Sequence, residues 1–353
     1  MSRLIRYAAV GVVGLLAIAS IGGTASLARF EPDGNPAVQA EVVTTLTDEA
    51  VEESSGLVVR GDLLFTVNDS GDGPHVYALD RATGAVTDVS TYDDEDPFDV
   101  EAVAAGRRDA LWVGDIGDNQ RVRGSIRVHR FVRPPSGGAR DARHYDLSYP
   151  DGPHDAEALL VHPRTERVLV VTKRPLIGGV VFRAPRRLRD GGMHRLERVA
   201  AVPGFITDGA FFPDGRHVVL RTYGTAAVYT YPAFRPVGEA FELPLQDQGE
   251  GIAVGADGRL YLSSEEVPSE ILAMELPDQV AAAMSPPAAE PDDTVAEDDP
   301  APEAAGSADG DGADEPDRPG PGRPRGYVLA AVVGTGLVAL LVRASRRRSR
   351  RRR

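Results

Sequence analysis

Residues 250–264 read EGIAVGADGRLYLSS, in which an acid opens a short apolar run, an Asp-Gly turn follows, and a second apolar run ends on serine. Both runs are rich in β-branched and aromatic residues, and their length of about five residues is typical of strands. Asp-Gly favours a tight reversal because glycine tolerates positive φ. The segment therefore predicts a two-stranded hairpin that begins at an acidic residue.

The same pattern recurs along the chain. An acid, a small residue and an apolar run stand together at Glu53, Glu101, Glu157, Asp208 and Glu250. The successive intervals are 48, 56, 51 and 42 residues, which is close to the length of a four-stranded propeller blade. Because helical periodicity is nearly absent between these positions, the repeat predicts an all-β fold built from blades.

The fold predicted from this repeat is a five-bladed β-propeller over residues 38–277. A six-bladed propeller is the alternative, if the long stretch 157–205 contains an extra half-blade. The fifth copy is one strand short, and the strand-like run 38–46 precedes the first copy. We expect that run to complete the last blade and to close the circle.

A second set of residues keeps the same register. The residue that ends the next apolar strand falls 14 or 16 positions after each acid, at Asp69, Asp115, Lys173, Thr222 and Ser264. Equivalent positions in successive blades face the same mouth of the central channel. The sequence thus predicts a ring of ligand-binding residues there, namely Glu53, Glu157, Lys173, Asp208, Arg221, Tyr223 and Glu250. The alternative is that the acids cap strands at a solvated end.

Two glycine-containing loops, NDSGDG at 68–73 and GDIGDN at 114–119, concentrate oxygen donors. Hard cations such as Ca²⁺ take six to eight oxygen ligands in flexible geometry. The predicted metal ligands are Asp69, Asp72, Glu101, Asp115, Asp118 and Asn119, with Ca²⁺ as the cofactor. The spacing is not that of an EF-hand, and tight turns in which Asp caps backbone amides are the alternative.

Catalytic chemistry has fewer candidates. No Gly-x-Ser-x-Gly elbow, P-loop or dinucleotide fingerprint occurs, and no histidine pair has zinc-ligand spacing. If the protein is an enzyme, Glu101, Asp115 and Lys173 are the candidates. Lys173 is the only lysine of the sequence, and it is expected to project into the acidic ring, either in a structural ion pair or as a substrate contact.

The two ends of the chain carry targeting signals. Residues 1–28 have the basic start, apolar run and small-residue end of a signal peptide, with an uncleaved signal anchor as the alternative. Residues 326–342 are apolar and uncharged, which predicts a transmembrane helix, and the Arg-rich tail 343–353 is expected on the cytoplasmic side. Residues 278–325 are rich in Pro, Ala, Asp and Glu and read as a disordered stalk.

The composition of the chain limits the kinds of molecule that it is expected to bind. The 353 residues carry a net charge of −14 and no cysteine. An acidic surface disfavours nucleic acid and suits cations, and the absence of cysteine excludes disulfides and thiolate chemistry. The sequence thus predicts a single-pass protein of the cell membrane, its propeller extracellular, acting as a monomer toward a small molecule or an envelope protein.

A resemblance to a known group rests on ESSGL, NDSGDG, DVEAVA, LWVGDIGDNQ, DAEALL and QGEGIAV. With these motifs the chain resembles bacterial secreted propeller proteins, actinobacterial in composition, related to the esterase-like, phytase-type and WD-repeat-like propellers. The resemblance covers about residues 45–275. It implies a propeller fold and calcium binding, but it does not establish an activity.

Two functions follow as hypotheses. The first is a surface binding module with a cation in its channel mouth. The second is a calcium-dependent hydrolase of phosphate esters, esters or lactones. A hydrolase needs an open metal position and a nearby base, and compared with phytases the sequence offers only Lys173, Arg174 and Arg221 as a phosphate clamp. The binding module is therefore the preferred hypothesis.

Overall fold

The computed structural model describes residues 39–69, 71–92, 97–131, 138–140, 142–265 and 267–285. The predicted signal peptide, the transmembrane helix, the Arg-rich tail and the stalk beyond residue 285 lie outside these ranges. Within them, no helix combines the length and the apolar character that crossing a membrane would require.

The described strands form five sheets, one for each predicted blade. Blade 1 contains β2 (Ser54–Arg60), β3 (Leu63–Asn68), β4 (His75–Asp80) and β5 (Val86–Tyr92). Blade 2 contains β6 (Val100–Ala105), β7 (Leu111–Asp115), β8 (Ile126–Phe131) and β10 (Arg143–Ser148). Blade 3 contains β11 (Ala156–Val161), β12 (Val168–Thr172), β13 (Gly179–Arg183) and β15 (Glu197–Val202).

Blade 4 contains β16 (Asp208–Phe211), β17 (His217–Arg221), β18 (Thr225–Thr230) and β19 (Pro236–Glu242). Blade 5 contains β20 (Gly249–Val254), β21 (Leu260–Ser264), β22 (Ser269–Met274) and β1 (Glu41–Leu46). The innermost strands β2, β6, β11, β16 and β20 contact one another in a closed circle. The all-β, five-bladed propeller is therefore confirmed.

The circle closes through the strand that precedes the first blade. β1 pairs antiparallel with β22, from Glu41 opposite Ala273 to Leu46 opposite Ser269. The last blade thus combines strands from both ends of the propeller, as the missing strand of the fifth copy predicted. This pairing ties residues far apart in sequence, and it keeps the first and last blades from separating.

Two short additional strands explain the longest intervals of the repeat. β9 (Gly138–Arg140) lies between β8 and β10 in sequence, yet it pairs parallel with β5 of blade 1. β14 (Met193–Arg195) lies between β13 and β15 and pairs parallel with β10 of blade 2. The extra length of blades 2 and 3 therefore reaches back to the preceding blade, and residues 157–205 contain no half-blade.

The core is divided among the blade interfaces. Alternate side chains of each strand point to the two neighbouring blades, so five clusters of buried apolar residues form, one for each junction. Between blades 2 and 3, for example, Trp112 stacks on Tyr145 with ring centroids 5.6 Å apart, in the same cluster as Leu159 and Phe182. Each junction is thus a small core of its own.

The propeller extends past the boundary that composition suggested at residue 277. Residues Asp278–Met284 form a helix, α1, and its Val280 is fully buried in the cluster between blades 4 and 5. Gly238 of β19 has positive φ, and Val280 packs directly over it. In the sequence, the Ala-rich run 281–283 resembles the start of the stalk. The signal for α1 is a single large apolar residue, Val280, which attaches the helix to the propeller.

Candidate metal centre

The repeated acids lie at the starts of the innermost strands. Glu101, Glu157, Asp208 and Glu250 are buried, while Glu53, just before β2, is half-buried. Glu157 interacts electrostatically with Glu250, and Glu101 with Glu157. The four buried acids do not cap strands at a solvated end, as the alternative interpretation required. They face one another at one end of the channel.

The second register brings further groups to the same end. Asp69 follows β3, and its backbone N–H donates to the carbonyl of Glu53 at 2.8 Å. The same bond recurs in blade 3, where the N–H of Lys173 donates to the carbonyl of Asp155 at 2.9 Å. Because this bond repeats, the residue after the second strand is held beside the entry to the first.

Three carboxyl groups meet where blades 1 and 2 join. One oxygen from each of Asp69, Asp99 and Glu101 lies within 4.8 Å of the other two, and all three residues are buried. Oxygens on opposite sides of a calcium ion are about 5 Å apart, since each lies 2.3–2.6 Å from the metal. The spacing of these three groups, called the acidic triad below, therefore fits a hard cation between them.

Glu101 is the triad member that belongs to an innermost strand, β6. Its side chain is 1% exposed, and its Oε1 has no hydrogen-bond partner among the described residues. The hydroxyl of Ser55 donates to the backbone carbonyl of Glu101 at 2.7 Å and lies 3.4 Å from its Oε2. A buried oxygen without a partner costs free energy that a bound cation would recover.

The GDIGDN loop covers the triad without supplying its carboxylates. A Cβ on Gly117 would come within 2.6 Å of the Asp99 carboxyl group and 2.8 Å of Glu101 Cγ. Asn119 Nδ2 donates to Asp99 Oδ2 at 3.4 Å. Glycine is thus required at 117 because the loop backbone lies directly against the acids, and Asn119 contacts the triad from outside.

The other predicted metal ligands have different partners. Asp115 accepts hydrogen bonds from Arg123 Nη1 at 2.7 Å and from the backbone N–H of Asp99 at 2.9 Å. Asp118 accepts from the backbone amides of Val122 and Arg123 at 2.9 and 2.8 Å. Asp118 therefore caps its own loop, which was the alternative interpretation of the sequence, whereas Asp115 binds Arg123 and the backbone that precedes β6.

Asp72 also serves its own loop. Its Oδ2 accepts a hydrogen bond from the Tyr77 hydroxyl at 2.7 Å and from Asn68 Nδ2 at 3.1 Å. His75 Nδ1 lies 3.4 Å from the same oxygen. The structure therefore brings together Asp69 and Glu101 of the predicted ligands and leaves Asp72 outside the triad.

Lys173 lies inside the acidic end of the channel. Its Nζ is 3.0 Å from Glu157 Oε1, and the side chain is 4% exposed. The same Nζ lies 5.0 Å and 5.4 Å from the ring centroids of Phe205 and Tyr223, a cation–π arrangement. Burial lowers the pKa of Lys173, but the nearby Glu157 and Glu250 outweigh it and hold the pKa well above its usual range.

Arg221 neutralises the acids of blades 4 and 5. Its side chain is fully buried, and Nη1 donates to the carbonyls of Gly251 at 2.7 Å and Ser263 at 3.2 Å. Burial lowers its pKa to about 10, while Glu250 and Asp208 act in the opposite direction. Asp208 Oδ2 in turn accepts from the backbone N–H of Ile252 at 2.8 Å, which links the two blades.

Burial raises the pKa of several carboxyl groups at this end of the channel. Burial, reinforced by neighbouring acids, raises the pKa of Glu101 and Glu157 well above the usual range. Burial also raises the pKa of Asp208, against the hydrogen bonds that it accepts. Burial and the charge of Glu250 raise the pKa of Glu265 to about 8. The end therefore has more carboxyl groups than its own cations can neutralise.

Sequence reasoning missed Asp99, Asp155 and Glu265 as site residues. Asp99 and Asp155 stand two residues before Glu101 and Glu157, so the repeated Asp-x-Glu pattern was the signal that identifies them. Asp155 Oδ1 accepts the backbone N–H of Asp118 at 2.9 Å. Glu265 directly follows the second-register serine of blade 5, and its burial could not be read from sequence.

Comparisons with known proteins add little to this geometry. No family model and no curated protein matches the chain. Among solved structures, an oxidoreductase (glucose dehydrogenase) from Thermus thermophilus matches at 14% identity and a TM-score of 0.40, over 67% of this chain and 99% of that chain. A likeness at this level carries no argument about function, and the resemblance to phytase-type propellers stays a prediction.

Proposed function

We propose that this protein is a binding propeller whose acidic channel end holds a hard divalent cation, Ca²⁺, between Asp69, Asp99 and Glu101. The observation that supports it most directly is the meeting of three buried carboxyl groups within 4.8 Å. The unpartnered Glu101 Oε1 points to a missing positive charge at the same place. The cation would join blades 1 and 2 and fix the rim around it for a ligand or partner.

The charge balance of the channel end supports the proposal. Lys173 and Arg221 are the only Lys or Arg side chains that are buried in the described part of the chain. Around them lie the buried carboxyl groups of Asp69, Asp99, Glu101, Asp155, Glu157, Asp208, Glu250 and Glu265. Ionised carboxylates are rarely buried in such excess without a cation, and a divalent ion would neutralise two of them.

The donor set selects the kind of metal. The triad offers carboxylate oxygens alone, and no histidine belongs to it. Oxygen donors suit calcium and magnesium, whereas zinc and copper sites in proteins use nitrogen and sulfur. Ca²⁺ is preferred over Mg²⁺ because three carboxylates in a buried site leave little room for the several waters that Mg²⁺ retains.

Calcium titration of the full chain tests the proposal. After treatment with a chelator, the protein is titrated with CaCl₂ by calorimetry and melted at each concentration. We expect saturable binding of one ion and a stabilisation of about 2.7 kcal/mol at a hundredfold excess over Kd. Mg²⁺ is expected to bind at least tenfold more weakly.

Glu101→Gln is the decisive variant. Its amide has the shape of the protonated carboxylic acid, which the raised pKa favours without metal, so the fold should be retained while calcium affinity falls at least tenfold. Asp72→Asn is the matched control, because Asp72 lies in the NDSGDG loop but is held by Tyr77. Calcium affinity that survives Glu101→Gln and is lost in Asp72→Asn would reject the triad in favour of the loop.

The structure gives a reason to prefer binding over hydrolysis. A phosphate clamp requires accessible cations, but Lys173 is buried and paired with Glu157, and Arg221 is fully buried although its Nη2 has no hydrogen-bond partner in the described residues. Of the three candidates, only Arg174 is partly exposed. We expect no turnover of p-nitrophenyl phosphate, p-nitrophenyl acetate or a simple lactone in the presence of calcium. Calcium-dependent turnover that disappears in Glu101→Gln would replace the binding function with the hydrolase.

Display at the cell surface is part of the same proposal and rests on the sequence alone. Residues 1–28 would direct export, and residues 326–342 would anchor the propeller in the membrane. Fractionation of cells that produce the full chain, followed by protease treatment of intact cells, tests this. Recovery of the chain in the cytosol, protected from protease, would contradict it.

A further inference from the structure

The end of the channel opposite the acids has a different chemistry. The C-terminal halves of the five innermost strands, with the turns that follow them, line a cavity of about 550 Å³. Every blade contributes an apolar residue to it, in order Leu57, Val103, Leu159, Ala210 and Ala253. The acids that fill the other end belong to the starts of the same strands. One channel thus has an acidic end and an apolar end.

Small residues keep this end of the channel wide. Ala104, Ala105 and Gly106 line it from blade 2, and Gly255 and Ala256 line it from blade 5. Side chains of this size leave space that large residues would fill. A concave apolar cavity of roughly 300–1,000 Å³ with a few polar groups is the usual form of a small-molecule site.

Two arginines give the cavity a positive rim. Arg60 and Arg81 line it, together with a single acid, Asp257. Asp257 Oδ1 already accepts the backbone N–H of Arg259 at 3.1 Å. Two exposed aspartates outside the lining approach these arginines, Asp109 at 3.8 Å from Arg60 Nε and Asp62 at 3.6 Å from Arg81 Nη2. The lining itself holds two arginines and one acid on a chain with a net charge of −14, and it suits an anion.

Arg60 retains donor capacity at this rim. Its Nη2 donates to the carbonyl of Ala110 at 3.1 Å, and its Nε lies 3.8 Å from Asp109 Oδ1. Its Nη1 is buried and has no hydrogen-bond partner within the described residues. Since a buried N–H without an acceptor is costly, a rotation of the Arg60 side chain that brings this N–H to the cavity would let a ligand oxygen satisfy it.

We propose that the apolar end of the channel binds an amphipathic anion, with its apolar chain in the cavity and its carboxylate at Arg60 and Arg81. The apolar lining provides the binding free energy, and the arginines select the charge of the head group. Arg81 is half-exposed, with Nη1 3.3 Å from the Tyr261 hydroxyl, so a head group at the rim can reach it. This site is separate from the acidic triad and does not depend on a bound cation.

Three probes of one chain length test the proposal with the full chain. Decanoate and decyltrimethylammonium are titrated by calorimetry below their micelle concentrations, and decanol is titrated below its solubility limit. We expect saturable binding of one decanoate, at least tenfold tighter than decanol, and no measurable binding of the cation. Equal affinities for the three probes, unsaturable binding, or no binding of decanoate would overturn the proposal.

A pair of variants tests whether the ligand binds in the cavity. Ala105→Trp fills the cavity from β6 and is expected to weaken decanoate binding at least tenfold. Ala201→Trp is the matched control, because Ala201 is also an exposed alanine on a strand, β15, but lies outside the cavity. Equal decanoate affinity in the two variants would show that the ligand binds elsewhere.

Arg81→Gln keeps the proposal testable if Ala105→Trp does not fold, because Arg81 is half-exposed and its loss leaves the core unchanged. The variant is expected to bring the affinity for decanoate close to that for decanol while decanol binding stays the same. An unchanged preference for decanoate would contradict the role of the arginine rim. Decanoate binding in the presence of EDTA should equal that with calcium, so a failure of the cation proposal leaves this result interpretable.

Discussion

The junction between blades 1 and 2 and the junction between blades 2 and 3 carry the same set of acids. Each has one acid at the end of the second strand of a blade, in the last position of the strand for Asp115 and directly after it for Asp69, and an Asp-x-Glu pair at the start of the next blade. The two sets are Asp69, Asp99 and Glu101 in the first junction, and Asp115, Asp155 and Glu157 in the second.

The partners of these acids differ. In the second junction Asp115 is bound by Arg123 at 2.7 Å, Asp155 by the backbone N–H of Asp118 at 2.9 Å, and Glu157 by Lys173 at 3.0 Å. In the first junction no Lys or Arg nitrogen lies within 4.0 Å of Glu101 in the described ranges, whereas an oxygen without a hydrogen-bond partner occurs in both junctions, at Glu101 Oε1 and at Glu157 Oε2. The protein thus neutralises one junction with its own cations, and we propose that an external cation serves the other.

The largest expected effect comes from removing the internal cation. Lys173→Met leaves Glu157 and Glu250 buried without their main positive neighbour. Because breaking a buried ion pair on one side leaves an uncompensated charge, we expect a loss of about 3–5 kcal/mol in the free energy of unfolding. Denaturant unfolding at pH 8 measures it.

The double variant Lys173→Met/Glu157→Gln serves as its control and should recover part of that loss, since the lost pair is then replaced by two neutral groups. If Lys173→Met were as stable as the parent protein, the lysine would not neutralise the acids of its junction in the way proposed for the metal ion in the other junction.

Arg221 is the second buried cation. A substitution at Gly249, which packs against its side chain, perturbs it indirectly. A Cβ on Gly249 would collide with Arg221 Nη2. We expect Gly249→Ala to lower the free energy of unfolding by about 2 kcal/mol, because a fully buried guanidinium has nowhere to move. Gly224→Ala is the control, since nothing lies within 4 Å of its added Cβ. Similar losses in both would mean that glycine flexibility, rather than Arg221, matters.

The pH dependence of stability tests how completely Lys173 and Arg221 neutralise the buried acids. Burial raises the pKa of Glu265 from 4.5 in the unfolded chain to about 8 in the propeller, reinforced by the charge of Glu250. The folded form then binds more protons between these values, so stability is full below pH 4.5 and falls as pH rises toward 8. We expect Glu265 to contribute a loss of roughly 2 kcal/mol between pH 5.5 and 8.

Denaturant unfolding across this pH range, for the parent protein and for Glu265→Gln, checks the contribution. The variant should be less dependent on pH, because its amide does not titrate. An identical pH profile in the two proteins would show that Glu265 is already neutralised, and Lys173 would then serve more of the acids than the charge balance suggests.

The smallest expected effect concerns Arg123. Arg123→Gln removes the ion pair with Asp115 and the cation–π contact with Phe98 at 4.8 Å. Asp115 still accepts two backbone amides, so we expect a loss of only about 1–2 kcal/mol. If calcium then binds at a second site in calorimetry, the two junctions would differ by this arginine alone. One calcium ion in both proteins would assign the difference to Lys173.

Much of the fold was accessible from the sequence because a propeller is a repeat. The acid at the start of each blade, the apolar alternation and the strand at 38–46 predicted five blades and their closure. The boundary at 277 was set too early, since a single residue, Val280, docks α1. The reach of β9 and β14 into preceding blades was not predicted, because three-residue strands carry no periodic signal.

The site was predicted in outline and differently in detail. Position in the repeat grouped Glu101 with Asp69 and placed Lys173 among acids, and these residues lie near one another in the structure. It also suggested Asp72, Asp115 and Asp118 as metal ligands, because an aspartate that caps its own loop and an aspartate that binds a cation look alike in sequence. Their partners, Tyr77, Arg123 and nearby amides, become visible only when the loops are folded.

The sequence by itself predicted a propeller of five blades, with six as the alternative, together with the closing strand and the gathering of the acids at one end of the channel, because these follow from spacing along one chain. Only the tertiary structure decided which acids are neutralised. Neutralisation depends on which residues folding brings within about 3 Å of each other. Lys173 reaches Glu157 on the neighbouring strand of its own blade, 16 residues away, whereas Asp69 and Glu101 come from adjacent blades and lie 32 residues apart. Similar positions in the repeat therefore acquire different chemistry from the residues that folding places beside them.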